Sequence, residues 1–273
     1  MAVLRLSFTN LAEATSALAS GTGQACDYCS TEAQQPQRPF RPWRTLTTTT
    51  TQEWVLDLGS SQTAHVIALV NAGFTSATIQ GASSSGLFAA APYSEAVVLT
   101  CCPFNWRYQH THLTTGFGYR WLRVKLDATT STALTGPAAG STYFSLGGVW
   151  VGALTSAPNH LRIGLRARTV LPKRDVGPSH GAWMQRLKQG NPRARLEGII
   201  SASADAATPG LSDELRTWQG LLGQAWAGDY FFAYMSLGDP SQGYVVRWLD
   251  DPEWVFTGRT AETQVVLDEV VGP

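Results

Sequence analysis

The chain has 273 residues, enough for two domains that each bury a core of their own. Charged residues make up 15% of the sequence, and its 20 basic and 20 acidic side chains cancel, which excludes a bulk field for recruiting nucleic acid or an anionic membrane. No apolar run reaches the roughly 18 residues that a membrane-spanning helix needs, and Met1 to Leu6 lacks the pattern of a secretory signal, so we expect folding in a reducing cytoplasm.

Short apolar segments separated by turn-rich stretches make up the first half of the chain. Residues 20–52 contain Gly, Pro and Thr clusters together with apolar anchors, and they predict a long ordered loop region. Strands are predicted after this region at 54–58, 65–71, 77–81, 96–101, 119–126 and 143–151. Many short strands without a helical pattern are typical of an all-β sandwich, and the turn around Pro158 marks its end.

The second half has a different pattern, in which one helix interrupts a series of strands. Strands are predicted at 161–169, 194–202, 230–235, 244–249 and 263–271, and residues 172–178 are predicted to form a polar loop. Ser212 is a candidate N-cap for the helix, and Gly228 is its expected stop. The apolar residues on one face of this helix are Leu211, Leu215, Trp218, Leu221, Leu222 and Ala225. This order predicts an α+β unit in which one helix covers a sheet.

Three segments of the first half resemble the discoidin family, also called galactose-binding-like or F5/8 type C. They are Trp54 to Gly59, His65 to Val70 and Tyr119 to Val124, in the order and spacing of that family. The resemblance implies a jelly-roll β-sandwich over residues 1–156. In it, Trp54 is expected to fill the core, Asp57 and Gly59 to shape the turn that leaves the strand, and Arg120 to have a structural pairing role.

Two further resemblances indicate a use for such a fold. The segment Ser145 to Gly152, with Phe8 to Leu11 and the strand that ends at Asn71, is similar to discoidin-like domains of tailed-phage tail proteins. The element order of residues 157–273 resembles the tail-tube family, a β-sandwich flanked by a single helix. Together they imply a distal tail or minor tail protein of a phage baseplate, although the accessory domain usually follows the ring-forming domain in such proteins.

This resemblance implies a structural virion protein, assembled in the host cytoplasm. The implied partners are further copies of the chain in a hexameric or trimeric ring, the tail tube, and hub or minor tail proteins. Alternation along the strand at 161–169 directs Arg162, Arg166 and Arg168 outward. Their face either meets a neighbouring subunit or lines the ring channel, or it is an ordinary solvated strand face.

An alternative function is carbohydrate binding for recognition of a host surface. Aromatic residues cluster before and within the strand at 119–126, and Trp106, Tyr108 and Tyr119 are the candidates for a sugar-stacking platform. Jelly-roll modules bind ligands at loops of this kind. The competing interpretation is that these rings form a cluster that belongs to the core and to an interface.

Sequence motifs for catalysis are missing. No G-x-S-x-G segment and no phosphate-binding glycine loop occurs. Asp250 to Glu253 has the sequence of a turn, which is the favoured interpretation; the alternative is a carboxylate pair for glycoside hydrolysis. His110 and His112 need a third ligand to hold a metal and are otherwise expected in an exposed loop or edge. We therefore predict a protein that is not an enzyme and that needs no cofactor.

Four cysteines are the remaining candidates for a metal site. They are Cys26, Cys29, Cys101 and Cys102. Zinc requires thiolates from both segments to converge tetrahedrally, whereas adjacent residues of a strand point to opposite faces. We therefore predict ordinary thiols and no metal.

Overall fold

A computed structural model describes most of the chain, namely residues 3–14, 16–23, 28–36, 42–105, 107–134, 142–156, 163–171, 174–178, 184–188, 193–203, 213–228, 230–236, 238–249, 253–257 and 260–270. Its strands are β1 Val3–Ser7, β2 Leu18–Gly21, β3 Trp43–Arg44, β4 Gln52–Ala72, β5 Ser76–Ala82, β6 Tyr93–Val98, β7 Thr100–Cys101, β8 Tyr108–Leu126, β9 Ser145–Gly152, β10 Thr155–Ser156, β11 Ile163–Val170, β12 Arg174–Pro178, β13 Met184–Lys188, β14 Arg193–Ser203, β15 Phe231–Ser236, β16 Gly243–Trp248, β17 Val255–Thr257 and β18 Thr260–Glu269. Within these ranges there is one α-helix, α1 Asp213–Ala227, and the 3-10 helices are Leu11–Glu13, Ser30–Gln34 and Ser85–Ala90. The predicted fold class, mainly β with a single flanking helix, is confirmed.

Strands β2 to β9 form the jelly-roll unit. Their antiparallel order is β3-β9-β4-β8-β5-β6, with β2 added to β4 and β7 added to β8. The two long strands β4 and β8 pair along most of their length, but their register shifts between Asp57 and Gln62 and again between Ala64 and Val66. These irregularities bend the strands, so that both layers of a sandwich come from the same pair.

The end of the Trp54 to Gly59 segment forms the bend in β4. Gly59 has a φ of 78°, a left-handed conformation that glycine adopts without strain. Its N–H donates to Asp57 Oδ1 at 2.9 Å, and both oxygens of Asp57 accept from Arg120 at 2.7 Å. The Arg120 hydrogen bond holds the pKa of Asp57 below its ordinary value. The expected turn-shaping role of Asp57 and Gly59 and the pairing role of Arg120 are thus what the structure shows.

Trp54 lies at the centre of the jelly-roll core. Its side chain is fully buried, and its Nε1 donates to the Ser30 carbonyl at 2.9 Å. Period-two alternation along β4 and β8 directs apolar side chains between the layers. The largest of the others buried there are Trp43, Leu56, Leu58, Phe74, Phe117 and Phe144.

A second sheet forms the second unit, which is covered by the helix. Its antiparallel order is β10-β1-β15-β16-β18-β14-β11, with β17 added to β18. Helix α1 buries one apolar stripe against this sheet, made by Leu215, Trp218, Leu221 and Ala225. The predicted stripe is confirmed at these residues, and its further member Leu222 is also buried. Leu211 and the predicted N-cap Ser212 lie outside the described residues.

The first strand of the chain belongs to the second unit. β1 pairs with β15, with Leu4 opposite Met235 and Leu6 opposite Ala233, and it also pairs with β10. The jelly-roll unit is therefore inserted between two strands of the second sheet. The division into folding domains 1–156 and 157–273 stays a prediction, but in strand pairing residues 3–7 and 155–156 lie with the C-terminal half.

Some predicted elements differ from the structure. Residues 172–178 were expected as a polar loop, yet 174–178 form β12, which pairs with β13 in a two-stranded sheet. The long loop predicted at 20–52 contains β3 and a 3-10 helix, because short pairings with β9 and side-chain anchors order it. His110 and His112 lie half-buried within β8 rather than in an exposed loop.

An apolar seam joins the two units. It consists of the buried residues Val66, Ala68, Val70, Trp150, Phe232, Tyr234 and Val245, from β4 and β9 on one side and β15 and β16 on the other. Trp150 stacks on Phe232 with ring centroids 5.8 Å apart, and its Nε1 donates to Ser7 Oγ at 3.0 Å. The units therefore share a continuous core at this point.

A buried polar network lies beside the seam. Glu269 Oε1 accepts from Asn105 Nδ2 at 2.8 Å and from Arg107 Nη1 at 2.9 Å, and Oε2 accepts from the Ala194 N–H at 2.7 Å. The side chains of Arg107 and Glu269 are only 9% and 3% exposed. Burial raises the pKa of Glu269, while Arg107 opposes that shift. The loop before β8 is thus held on the second unit by a satisfied charge pair.

Candidate functional site

Loops gather where β4 and β9 begin and β8 ends. We call this surface the loop end; it comprises residues 22–23, 28–30, 42–51, 73–75, 127–134 and 142–144. Backbone hydrogen bonds connect these loops, including Thr45 N–H to the Phe144 carbonyl at 3.0 Å and Leu134 N–H to the Gly73 carbonyl at 3.0 Å. A surface built from several cross-linked loops on a rigid sandwich is a common place for a binding site.

The short strand β3 places one side chain inside the loop end and the next one outside. Trp43 is fully buried, and β3 pairs with β9, with Arg44 opposite Ser145. A Cβ atom at Gly21 would lie 2.6 Å from Trp43 Nε1, so this close approach requires a glycine at position 21. Because neighbouring side chains of a strand point to opposite sides, the buried Trp43 fixes Arg44 on the outer face.

Arg44 is held between two tyrosines. Its guanidinium carbon lies 3.8 Å from the ring centroid of Tyr28 and 5.0 Å from that of Tyr143. The Arg44 N–H also donates to the Tyr28 carbonyl at 3.3 Å. All three residues are half-buried. Two cation–π contacts therefore hold the guanidinium in one place at the surface.

The charge of Arg44 has no acidic partner among the residues that the structure describes. Its Nε is buried without a hydrogen-bond partner there. Arg5, Arg166 and Arg247 likewise have no ion pair within the described residues, whereas ion pairs with carboxylates are formed by Arg107, Arg120, Arg123, Arg168, Arg193, Arg195 and Arg216. Arg44 thus combines a fixed position with unused hydrogen-bonding capacity.

The sugar-stacking residues predicted from the sequence lie elsewhere. Tyr119 is half-buried in an aromatic cluster, with ring centroids 5.7 Å from Phe117 and 6.3 Å from Tyr93. Tyr108 packs at the other end of β8, beside Cys101 of β7. Trp106 lies outside the described residues. The platform formed by Trp106, Tyr108 and Tyr119 therefore stays a prediction, and no ring contact between Tyr108 and Tyr119 is found in the described structure.

The predicted arginine face is described only in part. Arg166 and Arg168 are exposed on β11, the last strand of the second sheet, and Arg168 Nη2 lies 2.5 Å from Glu197 Oε1. Arg162 lies outside the described residues. Part of the positive charge of this face is thus neutralised by an ion pair within the chain. The role of the face in an interface or a channel remains a prediction.

The two histidines considered as metal ligands are each within hydrogen-bonding distance of another group of the chain. His110 and His112 lie on one face of β8, where His112 Nε2 is 2.6 Å from Tyr93 Oη and His110 Nδ1 is 2.9 Å from the Val98 carbonyl. Burial lowers the pKa of both imidazoles. In the described part of the chain no cluster of three or more His, Cys, Asp or Glu side chains is arranged to hold a metal.

The cysteines and the acidic cluster are described only in part. Cys29, Cys101 and Cys102 are free thiols, and Cys102 Sγ lies 3.4 Å from Tyr244 Oη. Cys26 and residues 250–252 lie outside the described residues. No helix in the described ranges is long and apolar enough to cross a membrane.

Neither a protein-family model nor a curated protein matches the chain. Among solved structures, the chain is similar to the lectin domain of Lectinolysin complexed with Lewis B antigen, at 16% identity over 53% of this chain and 96% of that chain, with a TM-score of 0.39. It is similar to a Streptococcus pneumoniae fucose binding module, SpX-3, at 12% identity over 52% and 96%, with a TM-score of 0.38. A further similarity is to chitosan-binding module 1 derived from the chitosanase/glucanase of Paenibacillus sp. IK-5, at 21% identity over 52% and 98%, with a TM-score of 0.38.

Proposed function

We propose that this chain is a carbohydrate-binding protein that recognises its ligand at the loop end and acts by binding rather than by catalysis. The observation that carries the proposal is the half-buried guanidinium of Arg44 between the rings of Tyr28 and Tyr143. Sugars present both apolar C–H faces and polar hydroxyl edges. Aromatic rings next to fixed hydrogen-bond donors match both kinds of surface.

The position of the second unit supports this role. β9 begins at Ser145, opposite Arg44, and ends at Gly152, opposite Val66 of the apolar seam. The seam also includes Val70, which lies opposite Gly148 of β9, so the second unit covers the outer face of this strand pair. None of the described seam residues belongs to the loop end, and the seam therefore leaves the loop end uncovered.

A glycan array tests the proposal with the whole 273-residue chain. Wild type is expected to bind a subset of saccharides, and the double variant Tyr28→Ala/Tyr143→Ala is expected to lose at least about tenfold in affinity, because two aromatic contacts together contribute on the order of 1.4 kcal/mol or more. The matched control is Tyr108→Ala/Tyr119→Ala, which removes two tyrosines away from the loop end and should change affinity by less than about threefold.

Two outcomes contradict this proposal. If wild-type protein binds no glycan on a broad array, the carbohydrate-binding function is wrong. If the Tyr108/Tyr119 variant loses binding and the loop-end variant does not, the function stands but the site lies at the predicted platform. Thermal melting of each variant separates loss of binding from loss of folding.

A second candidate is a structural role in a phage tail tip or baseplate, as a ring-forming virion protein made in the host cytoplasm. The observation that favours it is the second sheet, where β17 exposes Val255 and Phe256 at 56% and 48% and the edge strand β11 is open on one side in the described structure. Exposed apolar edge strands are typical assembly surfaces. Light scattering after size exclusion tests it: a cyclic oligomer is expected, and a monomer at every concentration ends this candidate.

A further inference from the structure

We infer that the saccharide bound at the loop end carries an anionic group, a carboxylate, and that Arg44 is the residue that pairs with it. This inference rests on the proposed carbohydrate-binding function and specifies its ligand class. The observation behind it is a fixed guanidinium with no acidic partner in the described structure.

The environment of Arg44 costs free energy without a ligand. A half-buried guanidinium loses part of its hydration, and its buried Nε makes no hydrogen bond within the described residues. Contact with two aromatic faces compensates for part of this loss, but the ring faces do not satisfy the N–H donors. The buried Nε is out of reach of a ligand, but an incoming carboxylate supplies acceptors for the terminal Nη groups of Arg44.

The geometry of the stack also selects the shape of the ligand. Tyr28 and Tyr143 contact the guanidinium, so the donors that remain are N–H groups in its plane. Two parallel N–H groups of an arginine match the two oxygens of a carboxylate in a bidentate pair. Lysine has a point charge without this planar fork, and it stacks less well between rings.

The jelly-roll unit offers a direct comparison at Arg120. That guanidinium makes such a bidentate pair with Asp57 inside the chain, with both N···O distances at 2.7 Å. Arg44 lacks an equivalent carboxylate among the described residues. We therefore assign to the ligand a carboxylate that pairs with Arg44, through the two terminal Nη groups rather than through the buried Nε.

Calorimetric titration with a matched pair of ligands tests this assignment. The probes are an oligogalacturonate and the same oligosaccharide with its carboxylates methyl-esterified. Wild type is expected to bind the acid at least about tenfold more tightly than the ester, since esterification replaces a charge-assisted bidentate pair with hydrogen bonds to a neutral group. The preference should shrink as salt rises, because salt screens an exposed pair.

Arg44→Gln and Arg44→Lys are the test variants. The glutamine variant should bind acid and ester equally, and the lysine variant should keep only part of the preference. Equal binding of acid and ester by wild type, or an acid preference that survives in Arg44→Gln, overturns the inference. In both cases saccharide binding persists, so the proposed carbohydrate-binding function stands. If no glycan on the array binds, the proposed function itself is wrong. Thermal melting confirms that each variant is folded.

Discussion

Replacing Glu269 with alanine is expected to lower the free energy of unfolding by about 3–5 kcal/mol, the range observed when one partner of a buried ion pair is removed. The change leaves the guanidinium of Arg107, only 9% exposed, without its carboxylate. It also removes the acceptor of the Ala194 N–H and one of the two acceptors of Asn105 Nδ2. Urea unfolding followed by circular dichroism measures the effect.

The control for this variant is an exposed ion pair in the same unit. Arg168, whose side chain is 58% exposed, pairs with Glu197, and Arg168→Gln is expected to change stability by about 0–1 kcal/mol. If Glu269→Ala costs less than about 1 kcal/mol, the network does not hold the loop before β8 on the second unit.

Replacing Trp150 with alanine is expected to cost about 3–5 kcal/mol, as for other large core side chains. The variant loses the stacking on Phe232, the hydrogen bond to Ser7 Oγ and most of the filling of the apolar seam. Because the seam is the shared core of the two units, their unfolding should also become less cooperative. Differential scanning calorimetry reports both effects.

Trp121→Ala is the matched control, because Trp121 is a half-buried tryptophan of β8 outside the seam. It should lower the melting temperature less than Trp150→Ala does. If wild type unfolds in two separate transitions and Trp150→Ala leaves both unchanged, the units do not depend on the seam.

Local patterns predicted much of this fold because they depend on neighbouring residues. The alternation around Trp54, the turn at Gly59 and the stripe of α1 each follow from a period of two or of 3.6 residues. Arg120 was expected to have a structural partner, and the register of β4 and β8 brings it to Asp57.

Local patterns could not predict which strands pair over long distances in the sequence. Val3–Ser7 pairs with β15, at the other end of the chain, and nothing in its five residues specifies that partner. The strands predicted at 54–58 and 65–71 proved to be one bent strand, because the turn signal at Gly59 marks a bulged bend and not an end. β12 was missed because its charged, Gly- and Pro-containing sequence is typical of loops, and β13 was missed because its five residues are too few to show a clear periodicity.

The candidate site was missed for a similar reason. Tyr28, Arg44 and Tyr143 come from three segments that only the pairing of β3 with β9 and the loop hydrogen bonds bring together. The sequence instead favoured a local concentration of rings near Tyr119. In the structure that ring packs with Tyr93 and Phe117, against the core.

A crystal structure of the 273-residue chain with the tightest-binding acidic oligosaccharide from the array will show directly whether Arg44 binds a carboxylate. The sugar is expected to lie at the loop end, with a carboxylate paired to the guanidinium of Arg44 and with the rings of Tyr28 and Tyr143 beside it. A sugar bound against Tyr108 or Tyr119, with Arg44 free of ligand, would contradict it.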